Sequence, residues 1–155
     1  MGVLLELTTN QKGAIAEVAI TKVAVEIGVV VSRPVQDAAY DLILDLQDRL
    51  VRVQCKWAVV SGDVVTIRCR RCRRGPEGFI HRGYDHGEID AIAAYCLELD
   101  ACYLLPLELS VERAAVSLRL APPHNNQKRK IHWAEEYEFA ATLRAPGPIA
   151  QLGER

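Results

Sequence analysis

The stretch Tyr40–Lys56, which reads YDLILDLQDRLVRVQCK, predicts the two neighbouring antiparallel strands that decide the fold. The first strand is expected over Asp41–Leu46 and the second over Leu50–Val60. Hydrophobic and polar side chains alternate along the second strand, so each kind occupies its own face of the sheet. The hydrophobic face carries Val51, Val53, Cys55 and Trp57, and the polar face carries Arg52, Gln54 and Lys56.

The position of Asp41 relative to Gln54 depends on the length of the turn between these strands. An even loop, either Gln47–Asp48 or Leu46–Arg49, puts Asp41 opposite Gln54 on the same face, with their Cβ atoms about 5 Å apart. An odd loop puts Asp41 opposite Cys55 instead and separates the two polar side chains. The register therefore decides whether a polar site forms here.

A further polar residue, Glu17, lies on a helix expected over Gln11–Ile27. At about 100° per residue, Glu17 projects to the side opposite the clearly polar positions and falls among apolar residues. Those polar positions are Lys12, Lys22 and Glu26. A carboxylate in the middle of a buried face is costly unless it binds a metal, accepts hydrogen bonds or pairs with a cation. Helix phase alone leaves open both a functional role and a buried ion pair with an Arg or Lys.

These residues make up the donor set of a magnesium-dependent phosphodiesterase. Asp41 is expected to be the central metal ligand, with Glu17 as a second ligand, directly or through water. The Gln54 side-chain oxygen and the Cys55 carbonyl are expected to complete the set of metal ligands that the protein provides. Mg²⁺, for which Mn²⁺ can substitute, neutralises the phosphodiester charge and acidifies a bound water. Lys56 is expected to orient the attacking water or to stabilise the negative charge of the transition state.

The pattern resembles the core of the PD-(D/E)xK nuclease superfamily. The matching segments are QKGAIAE with Glu17, YDLILD with Asp41, and RVQCK, in which Gln54 replaces the usual acid before x-Lys. Two later segments, GEIDAIAAYCLELDACYLLPL and APPHNNQKRKIHWAEEY, are similar to the second half of the small homing-endonuclease-like group. The second branch that the sequence resembles is the archaeal-type Holliday junction resolvases, which have a Lys-Gly-x-x-x-Glu-like helix start.

This resemblance implies an α/β fold with a restriction-endonuclease-like core, in which helices flank a mixed, mostly antiparallel sheet. It also implies a metal-dependent endodeoxyribonuclease that acts on duplex or branched DNA. Cutting both strands needs two sites, which favours a homodimer or homotetramer. Gln54 can ligate a hard cation but brings no charge, so a non-catalytic DNA-binding module on the same fold is the alternative.

The length of the chain predicts a single nuclease domain over residues 1–143, with a flexible tail over residues 144–155. A long loop is expected over Arg70–Gly87, which contains four glycines and a proline. The remaining strands are expected over Val29–Val31, Val64–Cys69, Ile89–Cys96, Ala101–Leu105 and Ala114–Leu120, and a helix over Trp133–Leu143.

Basic residues are concentrated in one short segment, although the net charge of the chain is only -1. Residues 68–82 contain six arginines and one acid, a balance of +5, which leaves −6 for the rest of the chain. Such a strip suits a polyanion, and the alternative is a solvated surface loop. The expected DNA-binding residues are Arg68, Arg70, Arg71, Arg73, Arg74, Arg82, Asn125, Asn126, Gln127, Lys128 and Lys130. The asparagines fit a turn after the two prolines equally well.

Five cysteines, an odd number, exclude a complete disulfide framework and favour a reducing, cytoplasmic location. No apolar run approaches the roughly 20 residues needed to span a membrane. Cys69 and Cys72 have the spacing of half a zinc site, with Cys96, Cys102, His81 or His86 as partners. The simpler interpretation is that these thiols pack inside strands as small hydrophobic side chains.

Overall fold

The structure, a computed structural model, describes residues 5–125 and 129–144, and for residues 71–75 and 79–82 it describes the backbone alone. The described helices are α1 (Thr9–Glu26) and α2 (Phe139–Arg144), with short 3₁₀ helices at Leu107–Leu109 and Ala134–Tyr137. The described strands are β1 (Val30–Ser32), β2 (Leu42–Asp45), β3 (Leu50–Ser61), β4 (Val64–Arg68), β5 (Arg70–Gly75), β6 (Gly78–Gly83), β7 (Ala91–Cys96), β8 (Ala101–Pro106) and β9 (Ala115–Arg119).

Helix α1 is fixed at both ends by its sequence. The Thr8 hydroxyl accepts a hydrogen bond from the Gln11 amide at 3.2 Å, and the Gln11 side chain accepts one from the Thr8 amide at 2.8 Å. The helix ends at Glu26, and Gly28 follows with a φ of 89°, which glycine adopts without strain. The residues that α1 buries are Ala16, Ile20 and Ala24.

The long strand β3 is the centre of the seven-stranded sheet. One edge of β3 pairs with two strands in succession, because β2 pairs antiparallel with Leu50–Val53 and β4 pairs antiparallel with Ala58–Ser61. The other edge pairs in parallel with β7 over Val53–Ala58. Strands β1, β9 and β8 extend the sheet beyond β2, β4 and β7. In the described chain, the first edge of β3 is therefore open to other groups at residues 54–57.

The sheet carries a hydrophobic core on each face. The core beneath α1 and α2 includes Leu42, Val53, Leu104 and Phe139. The core on the other face includes Ile67, Ile92, Leu105 and Leu118. Strand β7 lies in the middle and has all six of its residues buried, which explains its continuous apolar sequence. The mixed, mostly antiparallel sheet with flanking helices agrees with the predicted fold class.

The predicted loop over Arg70–Gly87 is wrong for most of its length, because the chain forms a hairpin there. Strands β5 and β6 pair antiparallel from Arg70 opposite Gly83 to Gly75 opposite Gly78. The turn is formed by Pro76 and Glu77, and Gly78 has a φ of 121°. Arginines on successive positions hide the alternation that identifies a half-buried strand, so the sequence pattern indicated a loop.

The single helix predicted over Trp133–Leu143 is also wrong, because it is interrupted at Glu138. The chain forms a 3₁₀ helix over Ala134–Tyr137, and Glu138 is then extended, with φ and ψ of -58° and 135°. The Glu138 carboxylate accepts hydrogen bonds from the amides of Ala140 (3.3 Å) and Ala141 (2.8 Å), so it caps α2. The single predicted helix is therefore replaced by two short ones.

Most of the predicted tail lies outside the described residues, although Arg144 ends α2. None of the described helices is both long enough and apolar enough to cross a membrane. Four cysteines are described as free thiols, and all of them are buried: Cys55, Cys69, Cys96 and Cys102.

Candidate active site

The loop between β2 and β3 has an even length, which is one of the two cases that the sequence left open. Leu42 pairs with Val53 and Asp45 pairs with Leu50, so the loop is the four-residue Leu46–Arg49. The Asp41 amide donates a hydrogen bond to the Val53 carbonyl at 2.9 Å. Val53 is the residue paired with Leu42, and Asp41 lies in a bend just before β2, so the regular pairing ends at Leu42 and Val53. The expected contact between the Asp41 and Gln54 side chains stays a prediction.

The open edge of β3 begins at this point and receives the Asp41 side chain. The Cys55 amide donates a hydrogen bond of 2.8 Å to Asp41 Oδ2, where a neighbouring strand would otherwise supply the acceptor. Residues two apart in a strand direct their backbone groups to the same edge. Because the Val53 carbonyl and the Cys55 amide both point to this edge, the Cys55 carbonyl points there as well.

Glu17 approaches from α1, but it lies at the border of the buried face rather than in its middle. Its side chain is 30% exposed, and its Oε1 accepts a hydrogen bond from Arg33 at 3.3 Å. Arg33 also donates to the Thr21 hydroxyl at 3.4 Å. Glu17 therefore forms the ion pair with an arginine that the sequence left open, although this pair is partly solvated and not buried.

The carboxyl groups of Glu17 and Asp41 are both partly desolvated, and Asp41 is close enough to Glu17 to influence its pKa. Desolvation raises the pKa of Glu17, the negative charge of Asp41 raises it further, and Arg33 lowers it. Desolvation also raises the pKa of Asp41, against the hydrogen bond from the Cys55 amide and the charges of Lys56 and Arg33. Burial raises the pKa of the Cys55 thiol, which makes Cys55 unsuitable as a nucleophile.

Lys56 lies on the polar face of β3 and reaches the base of the β5–β6 hairpin. Its Nζ donates a hydrogen bond of 3.2 Å to the Arg70 carbonyl and lies 5.2 Å from the centre of the Tyr84 ring. Sequence reasoning missed Arg33 and Tyr84, because neither residue belongs to a pattern that marks a site. They are brought together only by the folding of separate segments.

Comparison with known proteins agrees with this geometry. The sequence profile of a family described as PD-(D/E)XK endonuclease matches residues 7–140, which include Glu17, Asp41, Gln54 and Lys56. This chain belongs to the PD-(D/E)XK endonuclease family. It is also similar to the solved structure of a bacterial homing endonuclease, I-Ssp6803I, with 26% sequence identity and a TM-score of 0.72. That similarity covers 88% of this chain and 93% of the homing endonuclease. No curated protein matches the chain.

The resemblance to the PD-(D/E)xK superfamily and to its homing-endonuclease-like group is thereby confirmed, and so is the predicted restriction-endonuclease-like fold. The chain is a PD-(D/E)XK nuclease, and DNA is the substrate that this family membership implies. Nucleases of this family generally use divalent metal ions.

In this PD-(D/E)XK nuclease, the oxygen donors at the open edge fit a hard divalent cation. Two desolvated carboxylates that repel each other become more stable when a cation is held by both. Within residues 5–125 and 129–144, no three His, Cys, Asp or Glu side chains converge to hold a metal. Among the described residues, neutral oxygens such as the Gln54 amide and the Cys55 carbonyl are the remaining candidate ligands.

A zinc site built on the cysteine pair gains no support from the described residues. Cys96 packs into the core on one face of the sheet and Cys102 into the core on the other face, so they cannot share an ion. Burial raises the pKa of the Cys69 thiol, and it raises that of Cys102 to about 12, which disfavours the thiolates that zinc requires. The Cys72 side chain lies outside the described part.

The predicted DNA-binding residues fall on two regions of the surface. Arg68 ends β4 and Arg70 begins β5, and both are exposed. The β5–β6 register pairs Arg71 with Arg82, so the arginines share one hairpin. Asn125 and Lys130 line a cavity of about 450 Å³ together with Arg119, His124 and His132. The predicted residues that lie outside the described side chains are Arg71, Arg73, Arg74, Arg82, Asn126, Gln127 and Lys128.

Proposed function

We propose that this chain is a Mg²⁺-dependent, homing-endonuclease-like DNA endonuclease that hydrolyses phosphodiester bonds at the open edge of β3. The observation that carries the proposal is the hydrogen bond between the Asp41 carboxylate and the Cys55 amide. It fixes an acid at a gap in the sheet, where the Asp41 charge raises the pKa of Glu17 and the Lys56 charge lowers that of Asp41. Acids, neutral oxygens and an ammonium gathered in this way suit metal-assisted hydrolysis of an anionic ester.

Each residue has a distinct part in the proposed reaction. Asp41 and Glu17 hold the cation with their carboxylates, and Gln54 and Cys55 contribute uncharged oxygens. When bound, the cation neutralises the phosphate and makes a water molecule more acidic. The Lys56 ammonium orients that water or offsets the negative charge that grows on the phosphate in the transition state. Cys55 acts through its backbone, because its buried thiol is protonated.

The arginine-rich hairpin and the segment around Asn125 and Lys130 are proposed to bind DNA. Arginines that contact phosphates fix the position of a duplex without reading its sequence. Asn125, Asn126 and Gln127 are proposed to reach base edges or sugar oxygens. We further propose that the residues up to 143 form one nuclease domain, and that the active form is a homodimer or homotetramer because two strands must be cut.

The substrate is tested by incubating the protein with Mg²⁺ and three DNA forms: a linear duplex, a four-way junction and single strands. Cutting of the duplex at one or a few sites supports the homing-endonuclease-like assignment. Symmetric nicks confined to the junction overturn that assignment and make the chain a Holliday junction resolvase with the same catalytic residues. Tight binding without any cutting identifies a non-catalytic DNA-binding module.

Replacing Gln54 with glutamate is expected to maintain or increase cleavage, by up to about tenfold when Mg²⁺ is limiting. A third carboxylate adds charge to the ligand set and strengthens cation binding at the same position. The matched control is Gln54→Met, which keeps a side chain of similar length but removes the amide oxygen. Single-turnover cleavage measured over a range of Mg²⁺ concentrations checks this. If Gln54→Met cleaves as well as the wild type, Gln54 is not a ligand.

Neutralising Arg70, Arg71, Arg73 and Arg74 with glutamine is expected to weaken DNA binding and to flatten its salt dependence. If all four contact phosphates, the slope of log K against log salt falls by about 3.6, because each contact contributes about 0.9. Lys22→Gln is the control, since Lys22 lies on α1, exposed and paired with Glu26. Fluorescence anisotropy at several salt concentrations measures both effects. An unchanged slope would exclude the hairpin from the DNA interface.

A further inference from the structure

Lys56 is held from two sides by the two ends of the basic hairpin. Arg70, whose carbonyl accepts the 3.2 Å hydrogen bond from Lys56, is the first residue of β5. Tyr84, whose ring centre lies 5.2 Å from the Lys56 ammonium, directly follows Gly83, the last residue of β6. Arg70 and Gly83 are paired across the hairpin. The Lys56 ammonium therefore lies against the base of the hairpin.

The chain that follows Tyr84 is anchored to β3 by a buried ion pair. Asp90 is only 4% exposed, and its Oδ2 accepts hydrogen bonds from the amide and the side chain of Arg52, at 2.9 Å and 3.3 Å. The same Arg52 guanidinium donates to the carbonyls of His86 and Gly87, both at 2.9 Å. Arg52 thus fixes the segment that connects Tyr84 to β7.

Neither Arg52 nor Asp90 lies where it can replace a member of the proposed metal site. Arg52 is two residues before Gln54, at the point where β3 still pairs with β2. The Asp90 amide donates to the Arg52 carbonyl at 2.9 Å, so backbone and side chains join the two segments. Charged hydrogen bonds at a buried position are strong and strictly oriented, which suits a structural anchor.

From this arrangement we propose that Tyr84 is a positioning residue for the Lys56 ammonium, and that the Arg52–Asp90 ion pair keeps its ring in place. An ammonium over an aromatic face is attracted by the negative potential of the ring. A lysine side chain has a flexible stem of four carbons, and without such contacts it samples many rotamers. The ring and the Arg70 carbonyl restrict that motion, so the charge is already oriented when the substrate arrives.

This inference rests on the proposed function and adds a link between DNA binding and catalysis. Arg70 at the start of the arginine-rich hairpin and Tyr84 directly after its end each contact Lys56. DNA that binds the hairpin therefore acts on the element that orients the catalytic ammonium. Tyr84 itself is half-buried against the core on that face of the sheet, which limits its own motion.

The test compares Tyr84→Leu with Tyr84→Phe in the full chain. Tyr84→Leu removes the ring and is expected to lower the single-turnover rate constant by roughly 5- to 30-fold, without a matching change in the Kd for DNA. Tyr84→Phe keeps the ring and should recover most of the rate. Thermal unfolding of each variant checks that the fold is retained. A purely structural role for Tyr84 predicts reduced stability without this separation of rate from binding.

A second measurement detects the contact without metal, DNA or cleavage. The ring current of an aromatic side chain shifts nearby proton resonances upfield, so the Lys56 Hε protons should move downfield in Tyr84→Leu and stay in place in Tyr84→Phe. Unchanged Hε resonances in Tyr84→Leu would overturn the contact and the inference with it. A shift change without any loss of rate would overturn the positioning role but leave the proposed function intact.

Failure of the proposed function itself has a separate signature. Absence of cutting by the wild type in Mg²⁺ would overturn the proposed function, whereas retained cleavage by Lys56→Ala would remove Lys56 from the reaction and overturn only the inference about Tyr84. Loss of cleavage in Lys56→Ala, together with full activity in Tyr84→Leu, would overturn only the inference about Tyr84. Loss in Lys56→Ala with an intermediate rate in Tyr84→Leu and recovery in Tyr84→Phe is the expected outcome.

Discussion

Asp41→Asn is expected to lower the rate of DNA cleavage by at least about 1,000-fold, which corresponds to about 4 kcal/mol of transition-state stabilisation. Asn keeps an oxygen that can accept the hydrogen bond from the Cys55 amide, so the open edge should retain its geometry. What is lost is the negative charge that holds the cation. Single-turnover cleavage of duplex DNA in saturating Mg²⁺ measures the effect.

The control for this variant is Asp45→Asn, at the opposite end of the same short strand. Asp45 accepts a hydrogen bond from the Gln47 amide at 2.8 Å, which Asn can also accept, and it has no place in the proposed site. Its cleavage should remain within about twofold of the wild type, as expected for a surface change. Equal activity of the two variants would exclude Asp41 as the central ligand.

Asp41→Asn is also expected to affect stability: the variant that loses activity should be the more stable protein. Because the pKa of Asp41 is raised in the folded chain, its ionised form is less favourable there than in the unfolded chain. Removing the charge should therefore increase the melting temperature of the metal-free protein. For the same reason, the stability of the metal-free wild type should fall as the pH rises from the unfolded pKa to the folded pKa. A lower melting temperature in Asp41→Asn would contradict this account.

Lys56→Ala is expected to reduce cleavage by roughly 100- to 1,000-fold, the usual effect of removing one group that stabilises transition-state charge. Binding of DNA should change much less, because the arginines of the hairpin supply most of the proposed phosphate contacts. The Lys56 side chain is not part of either core, so the fold should be retained.

The control for Lys56→Ala is Lys22→Ala, which removes an exposed lysine from α1. Rate constants and DNA affinities of both variants, measured in parallel, separate catalysis from binding. A Lys56→Ala protein that cuts at the wild-type rate would remove Lys56 from the mechanism. A protein that cuts slowly only because it binds DNA poorly would make Lys56 a binding residue instead.

The local sequence was sufficient to predict the parts of the site that lie on one hairpin. Alternation along β3 assigns Gln54 and Lys56 to one face and Cys55 to the other, and the register follows from the parity of one short loop. Both features depend on residues that are close in the chain. For the same reason, the start of α1 was predicted to within two residues, at Gln11 where the helix begins at Thr9.

The open edge of β3 was not predictable, because it depends on where distant strands stop. Strand β2 ends its pairing at Val53, and β4 begins its pairing at Ala58. No local pattern specifies that these two strands leave residues 54–57 between them. The same limit applies to Arg33, which reaches Glu17 across 16 positions of sequence, and to Tyr84, which reaches Lys56 from beyond the hairpin.

Two errors arose where a strong local signal competed with a weaker pattern. Consecutive arginines and glycines in residues 70–83 indicated a loop, although a two-residue turn closes a regular hairpin there. The apolar spacing after Trp133 indicated one helix, but the Glu138 carboxylate caps a new helix and breaks the first. In the second case, hydrogen bonds from backbone amides to the Glu138 side chain decided the structure.

The most direct test of the central claim is the dependence of cleavage on a divalent cation. Wild-type protein is incubated with duplex DNA in EDTA, and Mg²⁺ or Mn²⁺ is then added in increasing amounts. The account predicts no cleavage in EDTA and a rate that rises to saturation with either ion, whereas Asp41→Asn stays inactive throughout. Cleavage in EDTA at the rate reached with Mg²⁺ would contradict a metal-dependent site at Asp41.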